Sequence, residues 1–173
     1  MTTRERAKRV KMLILDIDGV MTDGRIIYDD KGNELKCFYA LDGMGLALLK
    51  RANIQLALIS SKGSPAVLRR VKDFGAQEVK LNITDKLKVF KQILSKYKLK
   101  AAEVCFMGDD LVDIPLIKRV GFSVAVPGAC SEVKKLADYI TKQAGGKGAV
   151  REIVEIILRG QNKWRKVIAR YLE

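Results

Sequence analysis

Carboxylates, a hydroxyl and a lysine recur where apolar runs stop: Asp16 and Asp18 in "LILDIDG", Ser60 in "ALISSKG", Lys86 in "TDKLK", and Asp109, Asp110 and Asp113 in "CFMGDDLVD". The chemistry that needs this set is phosphoryl transfer through an aspartyl intermediate. A carboxylate that attacks phosphorus splits one hard displacement into two easier ones, but it must first approach a dianion. A magnesium ion, Mg2+, resolves the repulsion, because it takes oxygen ligands from a few carboxylates, waters and a phosphate oxygen. In that scheme Asp16 is nucleophile and metal ligand, and Asp109 supplies a second carboxylate from across the crevice. Lys86 adds fixed positive charge and Ser60 a hydrogen bond to the transferring oxygens. Asp18, two residues after Asp16, faces the same side if the extended backbone persists, where it can protonate the leaving oxygen and later deprotonate water.

Composition removes competing chemistries. With no histidine in 173 residues, every Ser-His or Cys-His nucleophile pair and every histidine-bearing zinc site is excluded. Cys37, Cys105 and Cys130 have neither metal-like nor CxxC spacing, so the expectation is core packing in a reduced, cytoplasmic compartment. The formal charge of +13 invites a nucleic-acid reading. The lysines and arginines are nevertheless scattered through amphipathic segments without interleaved aromatics, so no nucleic-acid partner is expected, and a basic surface suits small anionic substrates. The run Met12–Leu15 is too short for a signal-peptide core or a membrane span, and no membrane association is expected.

The elements that must position these groups alternate. Strand-like segments fall at Lys11–Asp16, Ile54–Ser60, Glu78–Leu81, Val104–Met107, Phe122–Val126 and Tyr139–Ile140, between helical patterns at Met44–Ala52, Pro65–Phe74, Asp85–Tyr97, Val112–Val120 and Ser131–Ala137. That rhythm predicts an α/β fold, a Rossmann-like three-layer α/β/α architecture around an open parallel sheet, as one domain over residues 1–173. A β-hairpin insertion at Arg25–Tyr39, turning on Asp29-Asp30-Lys31-Gly32-Asn33, follows the first strand. The spacings leave no room for a cap domain. Two helices broken near Gly160 end the chain, from about residue 146, after a flexible Gly145-Gly146-Lys147-Gly148 loop. In a parallel sheet with right-handed crossovers all strand C-termini share one edge, so the polar residues above converge there.

Each feature has a plainer reading. A calcium loop at Asp16-x-Asp18-Gly19 needs a glutamate twelve places from its start, where Ile27 stands. Gly108-Asp109-Asp110 suits a turn, Ser60 a helix cap with Ser64-Pro65 its rival, and Lys86 a solvated helix face. Their joint placement at successive strand ends argues for the site. A receiver domain of a signalling pair also gathers acids and a lysine at strand ends, but the hairpin and the Asp16-x-Asp18 spacing disfavour it.

"DIDGVMT", the serine after the second strand, the Asp85-Lys86 pair and "GDDLVD" resemble the four motifs of the haloacid dehalogenase superfamily of aspartate-nucleophile phosphatases. "DGVMTDGRIIYDDKGNELKCFYALDGMGLALLK" and "AGGKGAVREI" are similar to one branch, the 3-deoxy-D-manno-octulosonate 8-phosphate phosphatases of lipopolysaccharide synthesis. The resemblance implies Asp16 as nucleophile and metal ligand, Asp18 as acid/base and metal ligand through its carbonyl, Ser60 and Lys86 as phosphoryl holders, and Asp109 as the third ligand, with Asp110 and Asp113 supporting them from behind. Substrate contacts map to Tyr39, Ala40, Leu41, Asp42, Gly43, Lys62 and Arg70, alongside Asp18 and Lys86. Relatives carry Thr-Gly-Arg after the second strand, whereas here Ser60-Ser61-Lys62 keeps the hydroxyl but loses the planar guanidinium fork. A phosphatase for another acidic sugar phosphate, such as a sialic acid 9-phosphate, is the rival within the class. The hairpin, marginal alone, is most cheaply stabilised by pairing with copies of itself around a symmetry axis, and the resemblance implies a homo-tetramer; the segment from Gly145 is either a lid over a site or a helix packed on its own subunit.

Overall fold

The computed structural model describes residues 1–173. It opens on a helix that the sequence reading did not include, α1 (Thr3–Arg9), whose signal is local: Thr2 and Glu5 form a reciprocal capping box. Strand β1 (Met12–Leu15) follows and is buried along its whole length. A strand covered on both faces reads as an unbroken apolar run, which is why "MLIL" does not alternate. The hairpin comes next, as two short antiparallel strands, β2 (Ile27–Tyr28) and β3 (Glu34–Leu35). Its turn is held by Asp29, whose carboxylate accepts from the backbone of Lys31 and Asn33 at 2.9 and 2.7 Å.

Helix α2 (Ala40–Arg51) starts four residues before the expected Met44. Gly43 and Gly45 are poor helix formers, so this first turn is held by a partner distant in sequence: Arg151 N–H donates to Asp42 at 2.8 Å. The chain then runs through β4 (Gln55–Ile59), α3 (Pro65–Phe74), β5 (Glu78–Lys80), α4 (Lys86–Tyr97) and β6 (Val104–Gly108). The helix expected over Val112–Val120 is instead a 3-10 turn at Leu111–Asp113 followed by the short α5 (Ile114–Ile117). Pro115 has no N–H to bond back into that turn, so a continuous helix cannot pass through it. The remaining elements are β7 (Phe122–Ala125), α6 (Ser131–Leu136), β8 (Tyr139–Ile140), α7 (Ala149–Gly160) and α8 (Trp164–Ile168), which leads into a 3-10 turn at Ala169–Tyr171.

The main sheet has the order β5-β4-β1-β6-β7-β8 and every pairing in it is parallel. Helices α1, α2, α3 and α7 pack together on one face, and α4, α5 and α6 on the other. Between β1 and β4 lie only the hairpin and α2, and between β4 and β5 only α3, so no cap domain interrupts the sheet. Leu15 pairs with Leu58 and with Met107, which brings the ends of β4 and β6 level with Asp16 on either side of β1. The strand order reverses direction at this point, which opens a crevice outside the C-terminal edge.

The C-terminal segment is a packed helix pair. Helix α7 buries Ala149, Val150, Ile153, Val154, Ile157 and Leu158, and it packs on α2 and α1. Beyond it, Gln161 Nε2 donates to the carbonyls of Ala7 and Val10, and Lys163 Nζ to that of Ala52. Those carbonyls precede β1 and β4, at the N-terminal edge of the sheet. The segment therefore does not form a lid over the site of its own chain, because its apolar stripe is already covered and its end is tied to the far side.

Candidate active site

Asp16 is the first residue beyond β1, and its N–H still donates to Met107 O at 3.0 Å. The strand does not extend through Asp18. The carbonyl of Ile17 accepts from Val20, Met21 and Thr22, a tight turn that replaces the extended geometry expected from the two-residue spacing. Asp18 reaches the same pocket as Asp16 by way of this turn rather than by strand alternation. Gly19 sits at φ +83°, and a Cβ there would fall 2.0 Å from Asp109 Oδ2, so the glycine leaves the space that Asp109 occupies.

Lys86 opens α4 and is buried, with its ammonium 2.7 Å from Asp113 Oδ1 and 3.0 Å from Asp16 Oδ1. Burial alone would lower the lysine's pKa, but the charges of Asp16 and Asp113 outweigh it and the pKa is raised, so the ammonium is retained. Asp113 is fully buried, and its other oxygen accepts from the N–H groups of Asp109 and Asp110 at 2.9 and 3.4 Å. It therefore stands behind the pocket and holds both Lys86 and the Asp109 turn. Asp110 lies at the rim, where its carboxylate accepts from Leu111 N–H.

Carboxylate oxygens of Asp16, Asp109 and Asp113 lie within 4.8 Å of one another. Burial, then the Asp113 charge, pushes Asp16 up to about 6 against the opposing pull of Lys86. Burial, then the charges of Asp16 and Asp113, pushes Asp109 up to about 7. The ion contact from Lys86 to Asp16 Oδ1 lacks hydrogen-bond alignment, which leaves that buried oxygen without a hydrogen-bond partner. A mutually repelling set of hard oxygens with one donor atom unsatisfied fits a small divalent cation such as magnesium.

A pocket of about 270 Å³ at this edge is lined by Asp16, Asp18, Ser60, Lys62 and Asp109, and also by Glu34 and Lys36 of the hairpin. Ser60 is buried and its Oγ accepts from Lys62 N–H at 3.2 Å. Glu34 and Lys36 are not among the site residues that the sequence predicts. Their signal is a period-two pattern over Glu34–Tyr39, in which Glu34, Lys36 and Phe38 turn inward while Leu35, Cys37 and Tyr39 face solvent.

The residues mapped to substrate contact do not all meet here. Tyr39 and Leu41 line a separate groove beside α7, with Lys147 and Arg151. Asp42 is buried and caps α7; its pKa is raised by burial against the N–H groups of Arg151, Gly148 and Val150. Its carboxylate is thus committed to the fold rather than to the pocket. Ala40 begins α2, and Gly43 lies against Arg70, since a Cβ there would come 2.8 Å from Nη2. Arg70 itself pairs with Asp73 at 3.1 Å and stacks over Phe74, outside the residues that line the pocket. A larger groove, about 760 Å³, opens at the opposite sheet edge between Lys8, Asn53 and Lys163, away from the carboxylate cluster. The basic residues there stand near helix C-termini, whose partial negative charge they complement.

A parallel sheet whose strand β1 ends on the buried Asp16, with Lys86 bridging Asp16 to Asp113 and with Asp109 alongside, has the set of groups that aspartate-based phosphotransfer needs. The family model for haloacid dehalogenase-like hydrolases matches residues 72–153. Over 158 residues the chain is 38% identical to the 3-deoxy-D-manno-octulosonate 8-phosphate phosphatase KdsC of Salmonella typhi, covering 91% of this chain and 84% of that one. The crystal structure of the phosphatase of that name from Moraxella catarrhalis, in complex with magnesium, phosphate and KDO, superposes with a TM-score of 0.95 at 38% identity, covering 98% and 97% of the two chains. The cobalt-bound phosphatase from Haemophilus influenzae superposes with a TM-score of 0.90 at 34% identity, covering 97% and 99%. The chain belongs to the 3-deoxy-D-manno-octulosonate 8-phosphate phosphatase family of haloacid dehalogenase-like hydrolases. No helix is long and apolar enough to cross a membrane.

Proposed function

We propose that this chain is a magnesium-dependent phosphomonoesterase that converts 3-deoxy-D-manno-octulosonate 8-phosphate to 3-deoxy-D-manno-octulosonate and phosphate, a step of lipopolysaccharide synthesis. The observation that carries the reading is the convergence of Asp16, Asp18 and Asp109 on one pocket, with the buried Lys86 in contact with Asp16, in a chain that matches phosphatases of that name over almost its whole length. Asp16, Asp109 and the carbonyl of Asp18 would hold the magnesium ion. When bound, it neutralises charge between the carboxylate and the incoming phosphate.

Asp16 attacks phosphorus as the bond to the sugar oxygen breaks, and Asp18 gives that oxygen its proton. Asp18 then takes a proton from the water that releases phosphate from Asp16. Lys86 holds the phosphoryl oxygens and is itself fixed by Asp113. Ser60 and Lys62 contribute hydrogen-bond donors at the pocket wall. We read Tyr39, Ala40, Leu41, Gly43 and Arg70 as contacts for the acidic sugar, with Asp42 left to cap α7.

We further propose a cytoplasmic homo-tetramer in which the one domain, residues 1–173, is completed by its neighbours. Ile26, Tyr28 and Leu35 of the hairpin are more than half exposed, and such an apolar surface is what hairpins gathered around a symmetry axis would cover. The cysteines are all free, consistent with a reducing compartment. Phosphate release from 3-deoxy-D-manno-octulosonate 8-phosphate, a sialic acid 9-phosphate and neutral sugar phosphates, each with added Mg2+, tests the activity. A kcat/KM for the first at least tenfold above the others is expected, and preference for a neutral sugar phosphate overturns the substrate. Light scattering across dilution tests the tetramer, and a fully active monomer would refute it.

A further inference from the structure

The hairpin stands apart from the main sheet, yet its Glu34 and Lys36 line the pocket. Lys36 has a side chain only 3% exposed, and its ammonium bridges Asp18 Oδ1 and Glu34, the latter at 3.0 Å. An ammonium withdrawn from water is costly unless paired, so this lysine is committed to those two carboxylates. Asp18 lies in a turn beyond the end of β1, and no other side chain hydrogen-bonds to its carboxylate. A proton donor must stand within hydrogen-bond reach of the leaving oxygen, and a freely rotating carboxyl spends little time there.

We propose that Lys36 is a positioning residue that aims the Asp18 carboxyl at the leaving oxygen, which makes the hairpin part of the catalytic apparatus. The ammonium engages one Asp18 oxygen and leaves the other free to meet the leaving oxygen. As Asp16 forms its bond to phosphorus, the bond from phosphorus to the sugar oxygen breaks and that oxygen takes the Asp18 proton. In the second step water bonds to phosphorus, the Asp16–phosphorus bond breaks, and a proton from the water returns to Asp18. Lys36 exchanges no proton in either step. The backbone follows the same logic: β2 and β3 are two residues each, too short to be stable alone, and the Lys36 bridge ties their second arm to the catalytic turn.

The inference rests on the phosphatase reading, in which Asp18 is the acid and base, and a leaving-group comparison separates the two. A sugar alkoxide needs protonation on departure, whereas p-nitrophenolate does not. In the full chain with Mg2+, Lys36→Met is expected to lower kcat/KM for the sugar 8-phosphate at least tenfold relative to p-nitrophenyl phosphate. Lys36→Arg should recover part of that ratio. Asp18→Asn should shift it in the same direction, and adding Lys36→Met to Asp18→Asn should change it no further. An unchanged ratio, whether both esters lose activity equally or neither does, assigns Lys36 to holding the hairpin and overturns the proposal. If Lys36→Met does not fold, Lys36→Gln is judged by the same ratio. Wild-type protein without activity on either ester would instead overturn the phosphatase reading.

Discussion

Gly145 packs so closely on Gly19 that a Cβ at position 145 would lie 1.8 Å from the Gly19 carbonyl oxygen. Next to it, Gly146 N–H donates to Val20 O at 3.1 Å, so the loop before α7 braces the turn that carries Asp18. Gly145→Ala must displace one of two backbones and is expected to cost about 1–3 kcal/mol by overpacking. Because the displaced turn carries Asp18, kcat should fall along with thermal stability. A variant with wild-type Tm and kcat would show that the loop yields without moving the turn.

Asp16→Asn is expected to reduce phosphate release to background, since an amide is too weak a nucleophile for phosphorus and removes a metal charge. Asp18→Asn should lower kcat by about 10²–10⁴-fold through loss of proton transfer. Steady-state assays on protein freed of contaminating phosphatase check both, and near-normal turnover by Asp16→Asn would remove the aspartyl mechanism.

Metal and substrate roles separate in titrations. Asp109→Ala takes one of two carboxylates from the cation, so the Mg2+ concentration for half-maximal activity should rise by tenfold or more on the order expected for a lost charged ligand. Arg70→Ala should raise KM for the acidic sugar phosphate while leaving the Mg2+ requirement in place. If both variants shift both titrations alike, the assignment of roles is wrong.

The acidic cluster has a pH signature. Burial and neighbouring charge hold Asp16 at about 6 and Asp109 at about 7, above the ordinary carboxylate value of 3.8. Between those values the folded chain binds more protons than the unfolded one, so the contribution of these groups to stability falls as pH rises through the window. Magnesium binds the ionised form and offsets that loss. The rise in Tm on adding Mg2+ should therefore be several degrees larger at about pH 8 than at about pH 5. An equal rise at both pH values would place the cation elsewhere.

The sheet and the polar residues at its edge were legible because their signals are local. A four-residue apolar strand that runs into Asp16, a lysine one residue past the Asp85 cap, and Gly108 before Asp109 each declare a boundary within a few positions. Parallel topology then brings such boundaries to one edge whatever the packing details. The capping box of α1 was local as well, at Thr2 and Glu5, but sat within a basic stretch that masked it.

Tertiary structure decided what depends on partners distant in the chain. The early start of α2 rests on Asp42 meeting the N-terminus of α7, and the same contact takes Asp42 away from the pocket. The role of Asp113 follows from Lys86 reaching it across the sheet edge, and the inward turn of Lys36 follows from Asp18 lying beneath the hairpin. A buried charge is stable only beside a counter-charge, and which counter-charge comes within 3 Å is set by the packing of whole elements, which residue order alone does not specify.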